Sequence, residues 1–230
     1  MMNKIILKEK LDLELSLFSG QAFRWKKKLN WYYGFIDNKF LKLRIKNNCL
    51  EYVCSDDWVA QDKVYDYFGL GIKYDEIFEN FDDELSTVAY KKLQGMRVLN
   101  QDPWECLISF IISAWSNVPK ISNTIHLLCQ KLGHKYILDD MVGYSFPSPI
   151  QITGLTESEM KSFGLGYRGQ YVLKTSKIIE ENKILLSDFY NEDYFDSLKF
   201  LLTFPGVGDK VANCVLIYSL KKYNAFPVDL

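Results

Sequence analysis

The sequence predicts an α+β protein: an N-terminal antiparallel sheet domain with following helices over residues 1–95, packed on an all-α domain over residues 96–230. Three observations carry that prediction. Short runs of aromatic and β-branched residues, separated by Asn and Asp, fill the early part of the chain. From about Val59 the apolar period lengthens to that of a helix. Near the C-terminal end, two apolar helical runs are joined by Pro205-Gly206-Val207-Gly208, giving a helix, a hairpin and a helix over about 192–220.

Taken in order, Leu11 to Leu17 alternates leucine with Asp, Glu and Ser and reads as a half-buried strand. Strands follow at Trp31 to Ile36, Phe40 to Ile45 and Leu50 to Cys54, with Asp37-Asn38 and Asn47-Asn48 as the turns between them. Tyr74 to Phe81 and Glu84 to Leu93 have helical spacing. Asp102-Pro103-Trp104-Glu105 then supplies a cap, a proline at the first helical position and an acid three residues past the cap. The helix it opens is apolar on nearly every side from Cys106 to Ala114, which predicts the buried centre of the helical domain. Thr156 and Glu159 form a second capping box, whose helix stops at Gly164, and another helix runs from near Arg168 to about Asn182. No Pro-, Gly- or Ser-rich linker and no repeat interrupts the chain.

Composition narrows the classes of function. With 230 residues, 48% hydrophobic and 25% charged, the chain is ordinary for a globular protein, and its net charge of −1 argues against nucleic-acid binding by bulk positive charge alone. Local lysines and backbone amides can still hold phosphates. The five cysteines, at 49, 54, 106, 129 and 214, are odd in number and lack paired metal-ligand spacing, so reduced thiols are expected rather than zinc or an iron–sulfur cluster. No apolar run has the length of a membrane span and no leader-like segment opens the chain, so an intracellular, nucleoid-associated protein with no membrane partner is expected.

The chemistry concentrates in residues 204–229. A tight glycine turn directs backbone N–H groups outward at the start of the second helix, where the positive end of the helix dipole suits a phosphate. Lys210 falls in the first turn of that helix, where a protonated amine is disfavoured, so it reads as a nucleophile in its neutral form. Cys214, four residues on, shares its face, and Asp229 follows an extended Pro-Val step. Read on spacing alone, each has a plain alternative: a solvated lysine, a core cysteine and a helix cap.

This stretch resembles the helix-hairpin-helix signature of the DNA glycosylase superfamily. In its bifunctional members the lysine matching Lys210 attacks the sugar and the aspartate matching Asp229 is essential. Ser19-Gly20-Gln21-Ala22-Phe23-Arg24-Trp25 resembles the N-terminal motif of 8-oxoguanine DNA glycosylases. The resemblance makes Gly20 the source of the carbonyl that accepts from N7–H of the oxidised base, with Gln21 and Cys214 in the base-binding set. Gly164 to Arg168 resembles the loop in which a tyrosine, here Tyr167, wedges into the duplex and an arginine, here Arg168, contacts the orphaned cytosine.

Asn100 to Lys120 resembles the family's central helix and its exit, where consecutive asparagines are usual; Trp115-Ser116-Asn117 keeps only the last, and Lys120 replaces an arginine that reads cytosine. A lysine lacks the two-pronged contact, so relaxed preference for the opposite base is expected. The family continues past the position of Leu230 into helices that supply a histidine and an aromatic lid. The resemblance implies an 8-oxoguanine glycosylase with lyase activity, or a truncated form of one, acting as a monomer on double-stranded DNA. Gly206 and Gly208 would grip a phosphate, no cofactor would be required, and a monovalent cation, potassium or sodium, would sit on the carbonyls of Leu202, Phe204 and Val207. The rivals are a pyrimidine-directed glycosylase/lyase of the thymine glycol type, an alkylbase glycosylase, which should lack the lysine, and a non-catalytic damaged-DNA-binding module.

Overall fold

The computed structural model describes residues 2–56 and 61–228 and divides the chain into two compact units, residues 1–100 with 137–141 and residues 101–136 with 142–230. The first contains β1 (Asn3–Ile6), α1 (Leu13–Leu17), β2 (Lys26–Lys28), β3 (Trp31–Ile36), β4 (Lys39–Lys46), β5 (Cys49–Cys54), α2 (Gln61–Tyr67), α3 (Tyr74–Phe78) and α4 (Glu84–Leu93). Its five-stranded sheet is antiparallel throughout, in the order β1-β5-β4-β3-β2. Asp37-Asn38 and Asn47-Asn48 both carry positive φ at both positions, the twist a two-residue hairpin turn requires, and Asp and Asn tolerate it. Leu41, Leu43, Leu50 and Tyr52 on β4 and β5 are fully buried against Leu17 and Phe68. The Trp25 indole lies over Gly34, leaving no room there for a side chain, and donates to the Tyr67 hydroxyl at 2.8 Å.

The expected strand at Leu11 to Leu17 is instead the short helix α1. Leucines two apart are also four apart, and a cap decides between the two periods: the Asp12 carboxylate accepts from Leu15 N–H at 2.9 Å, and the Ser16 hydroxyl donates to the Asp12 carbonyl at 2.6 Å. Val59, where the sequence changes period, lies outside the described residues.

The second unit contains α5 (Pro103–Ser113), α6 (Val118–Leu132), α7 (Pro149–Thr153), α8 (Glu157–Ser162), α9 (Arg168–Glu181), a short 3-10 turn at Leu186–Tyr190, α10 (Tyr194–Leu201) and α11 (Asp209–Tyr218); the paired strands β6 (Lys135–Leu138) and β7 (Met141–Tyr144) come between α6 and α7 in the chain, and residues 137–141 of that hairpin belong to the first unit. The Asp102 carboxylate caps α5 by accepting from Glu105 N–H at 2.8 Å, ahead of Pro103. Cys106 to Ser113 are all buried, as an apolar surface on every side demands, and α5 packs against α6, α9 and α11. The capping box at Thr156 and Glu159 closes in both directions. Among the described residues no helix is long and apolar enough to cross a membrane.

Candidate active site

The chain leaves α10 through a tight turn in which Phe204 N–H donates to Leu201 O at 3.1 Å and Val207 N–H to Phe204 O at 3.1 Å. The Thr175 hydroxyl on α9 donates to Pro205 O at 3.2 Å, which fastens the turn from beneath. Gly206 has φ +83, and a Cβ there would stand 2.8 Å from atoms of Tyr171, so both backbone and packing exclude a side chain. Gly208 differs. Its φ is −104 and a Cβ would meet nothing within 4 Å, so neither demand of the fold selects glycine. It caps α11 without a side-chain hydrogen bond, and the first-turn amides of a helix have no partner within the helix.

Lys210 occupies that first turn and is half-buried, with Nζ 5.7 Å from the centre of the Phe110 ring, close enough for the ring face to attract an ammonium. Phe110 stacks in turn on Tyr218, centroids 5.7 Å apart at 23°. Cys214 lies below Lys210 on the same helix face, buried, and Cys106 faces it from α5. Burial pushes the Cys106 thiol well above the ordinary thiol range, against a hydrogen bond with Ser219 and with the Cys214 sulfur adding to the rise. Burial likewise pushes the Tyr218 phenol up to about 12, with Cys214 and Cys106 contributing. The wall beneath the lysine is therefore apolar, made of the buried Phe110 ring and the buried Cys214 and Cys106 thiols.

Asp229 lies outside the described residues, but the segment leading to it is held. Asn213 on α11 accepts from Phe226 N–H at 3.3 Å and from the Tyr194 hydroxyl at 3.0 Å, while its own amide donates to Asp209 O at 2.8 Å. Sequence reasoning missed this residue. The available signal was a polar amide inside the otherwise apolar run that follows Val211.

The remaining expected site residues fall into three groups. Tyr167 is 55% exposed at the start of α9, beside Gly166, whose φ of +57 opens onto free space. Arg168 points inward instead: it is buried, with Nε donating to Leu165 O at 3.1 Å and Nη1 to Ala114 O at 2.6 Å. Asn117 and Lys120 are exposed at the start of α6, where the Asn117 side chain caps the helix by accepting from Lys120 N–H at 3.0 Å. Gly20 and Gln21 belong to the sheet unit. Gly20 has φ +90 with open space around it, and the buried Gln21 side chain accepts from Leu99 N–H and donates to Arg97 O, both at 3.0 Å, which fixes the loop carrying Gly20. Among the described residues no His, Cys, Asp and Glu cluster is arranged to hold a metal ion.

A sheet unit joined to a helical unit, with a lysine opening the helix after a glycine hairpin, defines the helix-hairpin-helix class of DNA glycosylases. Residues 4–107 match the family model described as 8-oxoguanine DNA glycosylase, N-terminal domain. The N-glycosylase/DNA lyase of Saccharomyces cerevisiae is 33% identical, over 98% of this chain and 67% of its own length. The N-glycosylase/DNA lyase OGG1 of Arabidopsis thaliana is 32% identical over 95% of this chain and 63% of its own. The crystal structure of Clostridium acetobutylicum 8-oxoguanine glycosylase/lyase, in complex with double-stranded DNA containing cytosine opposite to 8-oxoG, superposes with a TM-score of 0.90 at 28% identity, covering 100% of this chain and 82% of that one. The chain belongs to the 8-oxoguanine DNA glycosylase/lyase family, and it spans about two thirds of the length of these two curated relatives.

Proposed function

We propose that this chain excises 8-oxoguanine from double-stranded DNA and then cuts the strand at the resulting site, working as a monomer. The observation that carries this is Lys210, half-buried above an apolar face at the start of a helix that no side chain caps. The hairpin amides at Gly206 and Gly208 take a phosphate, and the open space at Gly208 is where it approaches. The carbonyls of Leu202, Phe204 and Val207 offer hard oxygen ligands for a monovalent cation; that of Phe204 accepts Val207 N–H and keeps its second lone pair. Tyr167 props the duplex while the damaged nucleotide rotates out, and the base rests against Cys214; likeness to the family assigns the Gly20 carbonyl as the acceptor from N7–H of that base. Gln21 serves by holding that loop, and Arg168 by holding the Tyr167 loop rather than by reading a base. Asn117 and Lys120 face the opposite strand.

In the chemical step the Lys210 amine shares its lone pair with C1′ as the glycosidic bond breaks. The bonding pair leaves with the base, which takes up the proton that the nitrogen sheds once it is bonded to C1′. The Asp229 carboxylate steadies the positive charge that develops on the sugar. Opening of the sugar ring gives an imine, and loss of a C2′ proton expels the 3′ phosphate. The decisive test is borohydride trapping on an 8-oxoguanine duplex with the wild-type chain and Lys210→Gln. The wild type is expected to form a covalent adduct and the variant none. An adduct that persists in Lys210→Gln removes the lysine from the mechanism, and faster excision of thymine glycol than of 8-oxoguanine transfers the reading to the pyrimidine-directed class.

A further inference from the structure

Trp115 is 94% exposed and has φ +52. A bulky residue with left-handed backbone is strained, and a fully displayed indole gains nothing from burial, so the fold does not account for either feature. The loop that shows it is nonetheless firmly held. Before it, the Ser113 hydroxyl donates to Phe110 O at 2.7 Å, and the Ala114 carbonyl is fixed by Arg168 at 2.6 Å. After it, Ser116 N–H donates to Ser113 O at 3.2 Å and Asn117 caps α6.

Arg168 also holds Leu165 O, and Tyr167 is its neighbour in sequence. One buried guanidinium thus staples together two loops, each presenting an exposed aromatic side chain. Trp115 is followed by Ser116 and Asn117 and, past the exposed Val118 and Pro119, by the exposed Lys120, so the apolar surface here is small and interrupted by polar and cationic groups, unlike the broad patch a protein partner covers. A single flat ring beside a lysine fits a nucleobase and its phosphate.

We propose that Trp115 is a second stacking side chain, inserted beside Tyr167 among the bases left unstacked when the damaged nucleotide turns out, and that it makes the protein tolerant of the base opposite. This rests on the function proposed above. Every base offers a π face, whereas an indole offers only one hydrogen-bond donor, so stacking secures the strand without reading it. Arg168 is the positioning residue for both rings.

The test uses duplexes carrying a tetrahydrofuran abasic site opposite each of the four bases, and the same duplex intact, against wild type, Trp115→Ala and Trp115→Phe. Trp115→Ala is expected to lose about tenfold in affinity for all four abasic duplexes by similar factors and to keep its affinity for intact DNA, with Trp115→Phe close to wild type. Quenching of tryptophan fluorescence on binding should shrink in both variants. Equal affinity of Trp115→Ala and wild type for the abasic duplexes overturns the proposal, as does a loss confined to one opposite base. Borohydride trapping in parallel separates the two readings: wild type that traps normally while Trp115→Ala binds like it sinks only this inference, whereas absence of trapping sinks the glycosylase reading beneath it.

Discussion

Gly206 and Gly208 stand two positions apart in one turn and answer to different demands. Alanine at 206 must adopt φ near +83 and push a methyl group into Tyr171, so Gly206→Ala is expected to lower stability by about 1–3 kcal/mol, read from the urea midpoint. At 208 the backbone is ordinary and the space is open, so Gly208→Ala should leave the midpoint within about 0.5 kcal/mol of wild type while weakening binding to an abasic duplex several-fold. Loss of stability at 208, or intact binding, would show that no phosphate approaches there. The sequence marked the turn at both glycines plainly, since Gly and Pro between apolar helical runs break a helix, whereas for Lys210 the spacing alone left a solvated side chain as the alternative. It did not show the direction of Arg168 or the work of Asn213, because a residue's neighbours across a helical bundle leave no mark on its sequence neighbours.

Helix starts were the most legible elements. A cap needs specific chemistry at one position and its partner three residues on, so Asp102 and Thr156 announced α5 and α8 locally. Asp102→Ala is expected to cost about 1 kcal/mol through the loss of this cap, and a change under about 0.3 kcal/mol would mean water replaces it fully. Where the period alone had to decide, it misled: α1 is too short for two and four residues of spacing to be told apart. β6 and β7, four residues each, are too brief for any period to stand out, and their partner is settled by pairing rather than by composition. The aromatic strands β3 to β5 were legible because turn residues with positive φ bracket them. Cysteine reactivity also belongs to the elements. With the Cys106 thiol pushed far up by burial inside α5, alkylation of the folded protein at pH 8 should leave it unmodified until denaturant is added, as peptide mapping would report.

At the scale of the molecule, a net charge of −1 says little about where the charges act. In the sheet unit, Glu14 is held below the ordinary carboxylate range by hydrogen bonds from Lys27 and Tyr32, and Glu51 by Lys4 and Arg44. Asp139 is held down by Lys42 and Tyr33, and Asp140 by Lys28. These groups stay ionised in the folded chain at a pH where the unfolded chain binds protons. Their contribution is therefore present above the ordinary carboxylate pKa of about 4 and is lost as pH falls through the lowered values. The phenols act at the other end: Tyr33 and Tyr218 are pushed up to about 12, so what they contribute is complete below about 10 and lost as pH rises toward 12. A stability plateau between these limits follows. Asp139 tests its acid edge, because its carboxylate accepts from Lys42 at 2.6 Å and from Tyr33 at 2.7 Å and loses the charge that strengthens both bonds when it is protonated. Asp139→Asn removes one titrating group, so its urea midpoint should start lower near neutrality and fall less steeply between about pH 5 and pH 3 than that of wild type. Two curves falling in parallel would assign the acid edge to other carboxylates.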